Sequence, residues 1–124
     1  MNTIAHNKYF LIAEYKRWEI VLSSLKNENT FLMLKLSEVL DSKVDKDFIL
    51  KAEYFQNEFI VKDGYVKEME NDIKAELLLI SNANDEITST KIVSRYKKFK
   101  NELSYFERNF LNLKSDFDKS VAMH

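Results

Sequence analysis

The side chains best suited to metal or acid–base chemistry are few and lie far apart in this sequence. His6 and His124 are the only histidines, and the chain has no cysteine. Neither a Glu-x-x-His pair nor an HExxH helix occurs, and these are the patterns that hold di-iron and zinc sites on helices. The sequence therefore predicts no metal site and no cofactor.

Acidic residues occur in close groups that resemble acid–base dyads only when taken alone. Asp45 and Asp47 lie next to an apolar run, whereas Glu68, Glu70 and Asp72 lie inside a strongly charged stretch. Their positions predict a helix cap for the first pair and a solvated helix surface for the second group. We therefore expect no catalytic residue, and we interpret the chain as a protein that is not an enzyme.

The strongest local charge feature is the segment KIVSRYKKFK at 91–100. On a helix, Lys91, Arg95 and Lys98 share one side and could contact an anionic partner such as nucleic acid. Glu102 continues that side with the opposite charge, so a solvated helix surface is the main interpretation. The 19 basic and 20 acidic residues leave a net charge of −1, which creates no overall attraction to nucleic acid.

Composition excludes most folds that need many tight turns. The 124 residues include one glycine and no proline, where average usage gives roughly nine and six. One isolated glycine, Gly64, also cannot build a phosphate-binding loop. The charged residues, 31% of the chain, alternate with apolar ones, and the length fits one domain spanning residues 1–124.

Apolar residues recur at alternating steps of three and four along three segments, which predicts three long amphipathic helices over about 3–41, 45–81 and 86–120. The first stripe comprises Leu11, Tyr15, Trp18, Leu22, Leu25, Asn29, Leu32, Leu36 and Val39. The second comprises Phe48, Ala52, Phe55, Phe59, Lys62, Val66, Met69, Ile73, Glu76 and Ile80. The third comprises Ile92, Tyr96, Phe99, Leu103, Phe106, Phe110, Leu113 and Phe117.

Short connections between these segments favour an all-α fold, an elongated antiparallel three-helix coiled-coil bundle. The stripe keeps its phase across Gly64, so we expect one continuous second helix. Two alternatives remain: four helices if the chain breaks at Gly64, or a dimer in which two chains exchange helices. Folding the chain about residues 43–44 would bring Asn29 level with Glu58, and a buried Asn at such a position sets helix register.

Some apolar residues fall outside the stripes and predict contact surfaces. Phe10, Leu78 and Leu79 collect at one end of the bundle. The other end has a second group, which we represent by Phe31, Met33 and Tyr54. The alternative is that these residues simply widen the core.

The expected function is protein–protein interaction by a helical bundle, as an adaptor, an assembly component or a self-associating unit. A homodimer is the favoured state, and nucleic-acid contact through Lys91, Arg95 and Lys98 is the alternative function. No apolar run approaches the ~20 residues of a membrane span. The N-terminal residues lack the pattern of a signal peptide. We therefore expect no membrane association and a cytoplasmic location.

Overall fold

The structure, a computed structural model, describes residues 6–42 and 45–123. This part of the chain forms an all-α three-helix bundle, as the stripes predicted. Its elements, in chain order, are β1 (His6–Asn7), α1 (Lys8–Asp41), α2 (Lys46–Ser81), β2 (Glu86–Ile87) and α3 (Thr90–Ala122).

Contacts between α1 and α2 run in opposite directions along the two helices. Lys8, at the start of α1, donates from Nζ to the backbone oxygens of Ser81 and Ala83 at 3.4 and 3.1 Å. At mid-height, the Asn29 side chain donates to the backbone oxygen of Phe59 at 2.9 Å. This contact order is the one that an up-down-up arrangement produces. The supercoil remains a prediction.

The same opposed order relates α2 to α3. Arg95, near the start of α3, pairs with Glu76 near the end of α2. Phe117, near the end of α3, packs edge-on against Phe55 at a ring-centroid distance of 5.2 Å. The helices contain 34, 36 and 33 residues, so each is about 50 Å long at 1.5 Å per residue.

A short two-stranded sheet, with two residues in each strand, makes α1 begin later than predicted. His6 pairs with Ile87 and Asn7 with Glu86 in antiparallel register. The helix therefore begins at Lys8 rather than near residue 3, and Asn7 Oδ1 caps it by accepting from the backbone N–H of Tyr9 at 2.8 Å. Residues 3–5, which we predicted as the first residues of this helix, lie outside the part of the chain that the structure describes.

The third helix also begins later than predicted, at Thr90 rather than near residue 86, because β2 occupies the residues before it. Ile87 in β2 is buried in the core, and its extended backbone pairs with His6 of β1. Ser89 then caps the helix at the backbone N–H of Ile92. The second helix begins as expected, because Asp45 Oδ1 accepts from the backbone N–H of Phe48 at 2.8 Å.

The three stripes meet in two apolar clusters. One cluster lies toward the sheet and comprises Leu11, Tyr15, Trp18, Leu22, Val66, Met69, Ile73, Ile80, Ile87, Ile92, Tyr96, Leu103 and Phe106. The other lies toward the α1–α2 connection and comprises Leu32, Leu36, Phe48, Ala52, Phe55, Phe59, Phe110, Leu113 and Phe117. Asn29 is buried between them along α1, level with Phe59 and next to Glu58 in height, as predicted.

Gly64 does not interrupt α2. The helix is continuous from Lys46 to Ser81, which confirms three helices rather than four. Gly64 is exposed, and a Cβ atom at this position would meet no atom within 4 Å.

Gly64→Ala is expected to raise the free energy of unfolding by about 1 kcal/mol, because alanine loses less backbone entropy than glycine in a helix and fits without contact. Urea denaturation monitored by circular dichroism measures the change. A destabilised variant would contradict the continuous helix.

Candidate interaction surface

The residues predicted for contact at the sheet end are exposed but point to different sides. Leu78 is 68% exposed and lines an apolar groove of about 450 Å³ between α1 and α2, together with Ile12 and Leu77. Leu79 is 48% exposed, and consecutive helix residues project about 100° apart. Phe10 lies beside the ring of Tyr96. These residues therefore do not form one patch.

The residues predicted at the opposite end are also divided. Phe31 and Tyr54 are exposed on α1 and α2 respectively. Met33 is half-buried and packs against the core cluster nearest the α1–α2 connection. Its contact with the core follows from its place beside the stripe residue Leu32.

Only two of the three residues predicted for the basic side of α3 are exposed in the structure. Lys91 and Lys98 are exposed, and Lys98 lies 3.8 Å from Glu102. Arg95 instead donates from Nε to both carboxylate oxygens of Glu76 at 2.9 Å. Because Glu76 is buried, Arg95 is needed to neutralise it. The exposed cations of this region are Lys91, Lys97, Lys98, Lys100 and Arg108.

The Glu76–Arg95 pair lies beside a groove of about 320 Å³ between α2 and α3. Asp72, Lys98 and Glu102 complete its charged lining. The two cations and three carboxylates leave no strong preference for a ligand of either charge. The pair acts as a structural link between the two helices.

Tyr15 lies in the core near this pair. Burial raises the pKa of the Tyr15 hydroxyl, and the Glu76 carboxylate raises it further, so the neutral form is strongly favoured. Among the described residues, the hydroxyl has no hydrogen-bond partner. An unpaired buried hydroxyl costs stability.

A further surface, which the apolar stripes did not predict, lies on the outward side of α1. Within the described stretch 20–37, the most exposed residues are all uncharged, although 31% of the chain is charged; Lys26, Glu28 and Lys35 are only partly exposed. Three of the most exposed residues are large and apolar: Ile20 is 71% exposed, and Phe31 and Leu34 are each 62% exposed. The full set is Ile20, Ser23, Ser24, Asn27, Thr30, Phe31, Leu34 and Ser37.

A second uncharged stretch lies on α2. Within the described range 54–64, the exposed residues again carry no charge; they are Tyr54, Gln56, Asn57, Ile60, Val61 and Gly64. The hydrogen bond from Asn29 to Phe59 joins the midpoints of the two stretches, so they lie at the same height. We call these two sets of residues together the central uncharged surface.

Opposite charges border this surface along α1. Lys16 and Arg17 are exposed before it, and Glu38 and Asp41 are exposed after it. The sequence contains this run of uncharged outward positions. The run can be recognised only after the inward positions of α1 have been assigned.

None of the described helices is long and apolar enough to cross a membrane. Among the described residues, no group of three or more His, Asp or Glu side chains is placed to hold a metal ion; His124 lies outside them. No protein-family model, curated protein or solved structure matches the chain.

Tyr15→Phe is expected to raise the free energy of unfolding at pH 7 by about 1 kcal/mol, because it removes an unpaired buried hydroxyl. Above about pH 10 the unfolded chain loses the Tyr15 proton while the folded chain keeps it, so stability falls with rising pH. The variant should lose less stability over that alkaline range.

Urea denaturation at neutral and alkaline pH measures both effects. Tyr105→Phe is the matched control, because Tyr105 is 63% exposed and its removal should change neither value. A Tyr15→Phe protein less stable than the wild type would contradict the unpaired state of the hydroxyl.

Proposed function

We propose that this chain is a non-enzymatic helical-bundle protein that acts through protein–protein contact, as an adaptor, an assembly component or a self-associating unit. The observation that carries the proposal is the central uncharged surface. Its eight most exposed positions on α1 span 18 residues, about 27 Å of helix, and none of them is charged; Lys26, Glu28 and Lys35 within this span are only partly exposed. The centres of protein interfaces are depleted in charged residues in the same way.

The types of residue on this surface also favour contact. Ile20, Phe31 and Leu34 supply apolar area that water hydrates poorly. The side chains between them are mostly serine, threonine and asparagine. Such short side chains lose less conformational entropy on being ordered than lysine or glutamate would.

The shape of the molecule increases the area that a partner can cover. The accessible surface is 8272 Å², whereas a compact monomer of 14.7 kDa exposes roughly 6,900 Å². Three long helices side by side bury only their inward stripes, so more apolar side chains stay outside. A partner on the central uncharged surface would cover part of this excess.

Two of the sequence-predicted contact residues, Phe31 and Tyr54, belong to this surface. Phe10, Leu78 and Leu79 remain candidates for a separate contact at the sheet end. Because Leu78 and Leu79 are exposed, their replacement by Lys should preserve helicity while weakening any contact made there.

The test is affinity capture from the cells that express the chain, followed by mass spectrometry. The Ile20→Ser, Phe31→Ser, Leu34→Ser triple variant is expected to retain partner proteins at least about tenfold less than the wild type, since it removes the apolar centre of the surface. Equal retention by the two proteins would contradict the proposal.

A matched control replaces three other exposed apolar residues, Leu50, Tyr105 and Leu111, by Ser. Each lies outside the central uncharged surface, with exposures of 69%, 63% and 59%. This variant should retain partners as the wild type does, and both variants should keep the wild-type circular dichroism spectrum.

The second candidate function is contact with nucleic acid or another anionic partner through α3. Its supporting observation is that five exposed cations lie between Lys91 and Arg108 in the described chain, whereas Glu102 and Glu107 there are only partly exposed. Such a row can neutralise successive phosphates, although it contains no motif that specifies base sequence.

A salt-dependent gel shift with duplex DNA and RNA tests this candidate. The Lys91→Glu, Lys97→Glu, Lys98→Glu variant should abolish any shift, because it reverses three contacts with phosphate. Arg95 is left in place, since its removal would leave Glu76 buried without a counter-charge. Absence of a shift for the wild type at low salt would eliminate the candidate.

A further inference from the structure

We propose that a second copy of this chain occupies the central uncharged surface, with the two α1 helices packed antiparallel. This inference rests on the proposed function and names its partner. It is drawn from the order of charges along α1, the spacing of its outward residues and the area available.

The outward side of α1 is self-complementary in charge. Lys16 and Arg17 precede the uncharged residues, 11 and 10 residues before Asn27, and Glu38 and Asp41 follow them, 11 and 14 residues after it. Two α1 helices packed antiparallel about Asn27 bring the cations of each copy to the carboxylates of the other. A parallel arrangement would oppose like charges at both ends, so the charge order selects the antiparallel one.

The outward residues also repeat with the spacing of a coiled-coil seam. They follow one another at alternating steps of three and four, directly opposite the core stripe: Arg17, Ile20, Ser24, Asn27, Phe31, Leu34 and Glu38. A helix with this second seam can pack against another helix on its outer side. In the antiparallel arrangement Ser24 of one copy lies near Phe31 of the other, which places a small side chain against a large one.

Asn27 would lie on the two-fold axis. A single polar residue in a helix seam fixes register and orientation at some cost in stability. The side-chain amide has both donors and an acceptor, so two symmetry-related Asn27 side chains can hydrogen-bond to each other.

The available area suits a dimer. From Lys16 to Asp41 the helix projects about 39 Å by 11 Å, roughly 430 Å². Side-chain relief makes the accessible area larger than this projection. The interface is smaller than the ~800 Å² that each partner contributes to a standard interface, so we expect a dimer that forms as concentration rises.

Arg17 can pair with a carboxylate of its own chain and with one of the second copy at the same time. Within the chain it pairs with Glu14, and its own side chain remains 65% exposed. A guanidinium group has five N–H donors, so one carboxylate does not exhaust it.

Two charge-reversal variants test the arrangement by light scattering after size exclusion. The first carries Lys16→Glu and Arg17→Glu, and the second carries Glu38→Lys and Asp41→Lys. We expect the wild type to approach about 29 kDa, twice 14.7 kDa, as concentration rises. Each variant alone should associate at least about tenfold more weakly, because both ends of its dimer then oppose like charges.

An equimolar mixture of the two variants should regain the wild-type dimer mass, because the reversed ends match in the mixed pair. A dimer that either variant leaves intact, or that the mixture fails to restore, would overturn the antiparallel arrangement. A wild type that stays at 14.7 kDa throughout would overturn the second-copy proposal. The captured partners lost by the triple serine variant would then still support the proposed function.

Cysteine cross-linking gives a readout that does not change the charged ends. The chain has no cysteine of its own, so Asn27→Cys should form an intermolecular disulfide on oxidation, since the two positions meet at the axis. Ser37→Cys is the control, because its two copies lie about 30 Å apart along helices that are antiparallel about Asn27, at 1.5 Å per residue. Cross-linking by Ser37→Cys would indicate parallel helices and overturn the proposal.

Discussion

The hydrogen bond between the Asn29 side chain and the Phe59 carbonyl sets the relative height of α1 and α2. Asn29 occupies a stripe position and is buried between two apolar clusters, where its short amide cannot reach water. A slip of one turn would leave that amide without its partner, at a cost that an apolar residue would not impose. The levels of the apolar clusters and of the two uncharged stretches all depend on this register.

The third helix is held by a different interaction. Large aromatic side chains, including Tyr96, Phe99 and Phe106, fill the space between α3 and the other two helices. The buried Glu76 carboxylate then needs a counter-charge, and Arg95 supplies it with two hydrogen bonds. This requirement removes Arg95 from the basic side of α3. The same residue cannot neutralise a buried carboxylate and serve as a freely available contact for an anionic partner.

In a bundle of three long helices, residues that contact a partner must lie on the outer surface. Each helix buries one apolar stripe and leaves most of its circumference exposed. On α1 that surface is divided into a cationic start, an uncharged centre and an acidic end. A second α1 helix that runs the opposite way would match this order of charges.

The periodicity of apolar residues was sufficient to predict three helices, the continuity of α2 through Gly64 and the level of Asn29, because these depend on spacing and on one connection. It could not predict β1 and β2, since two residues have no period and their pairing joins His6 to Ile87 across the fold. It placed Phe10, Leu78 and Leu79 at one end of the bundle, but not the direction in which each side chain projects, and their role in contact stays a prediction. Only the packed structure decided that Arg95 is committed to Glu76 and that the uncharged stretches of α1 and α2 lie at the same height, because both depend on which residues of different helices stand level with each other.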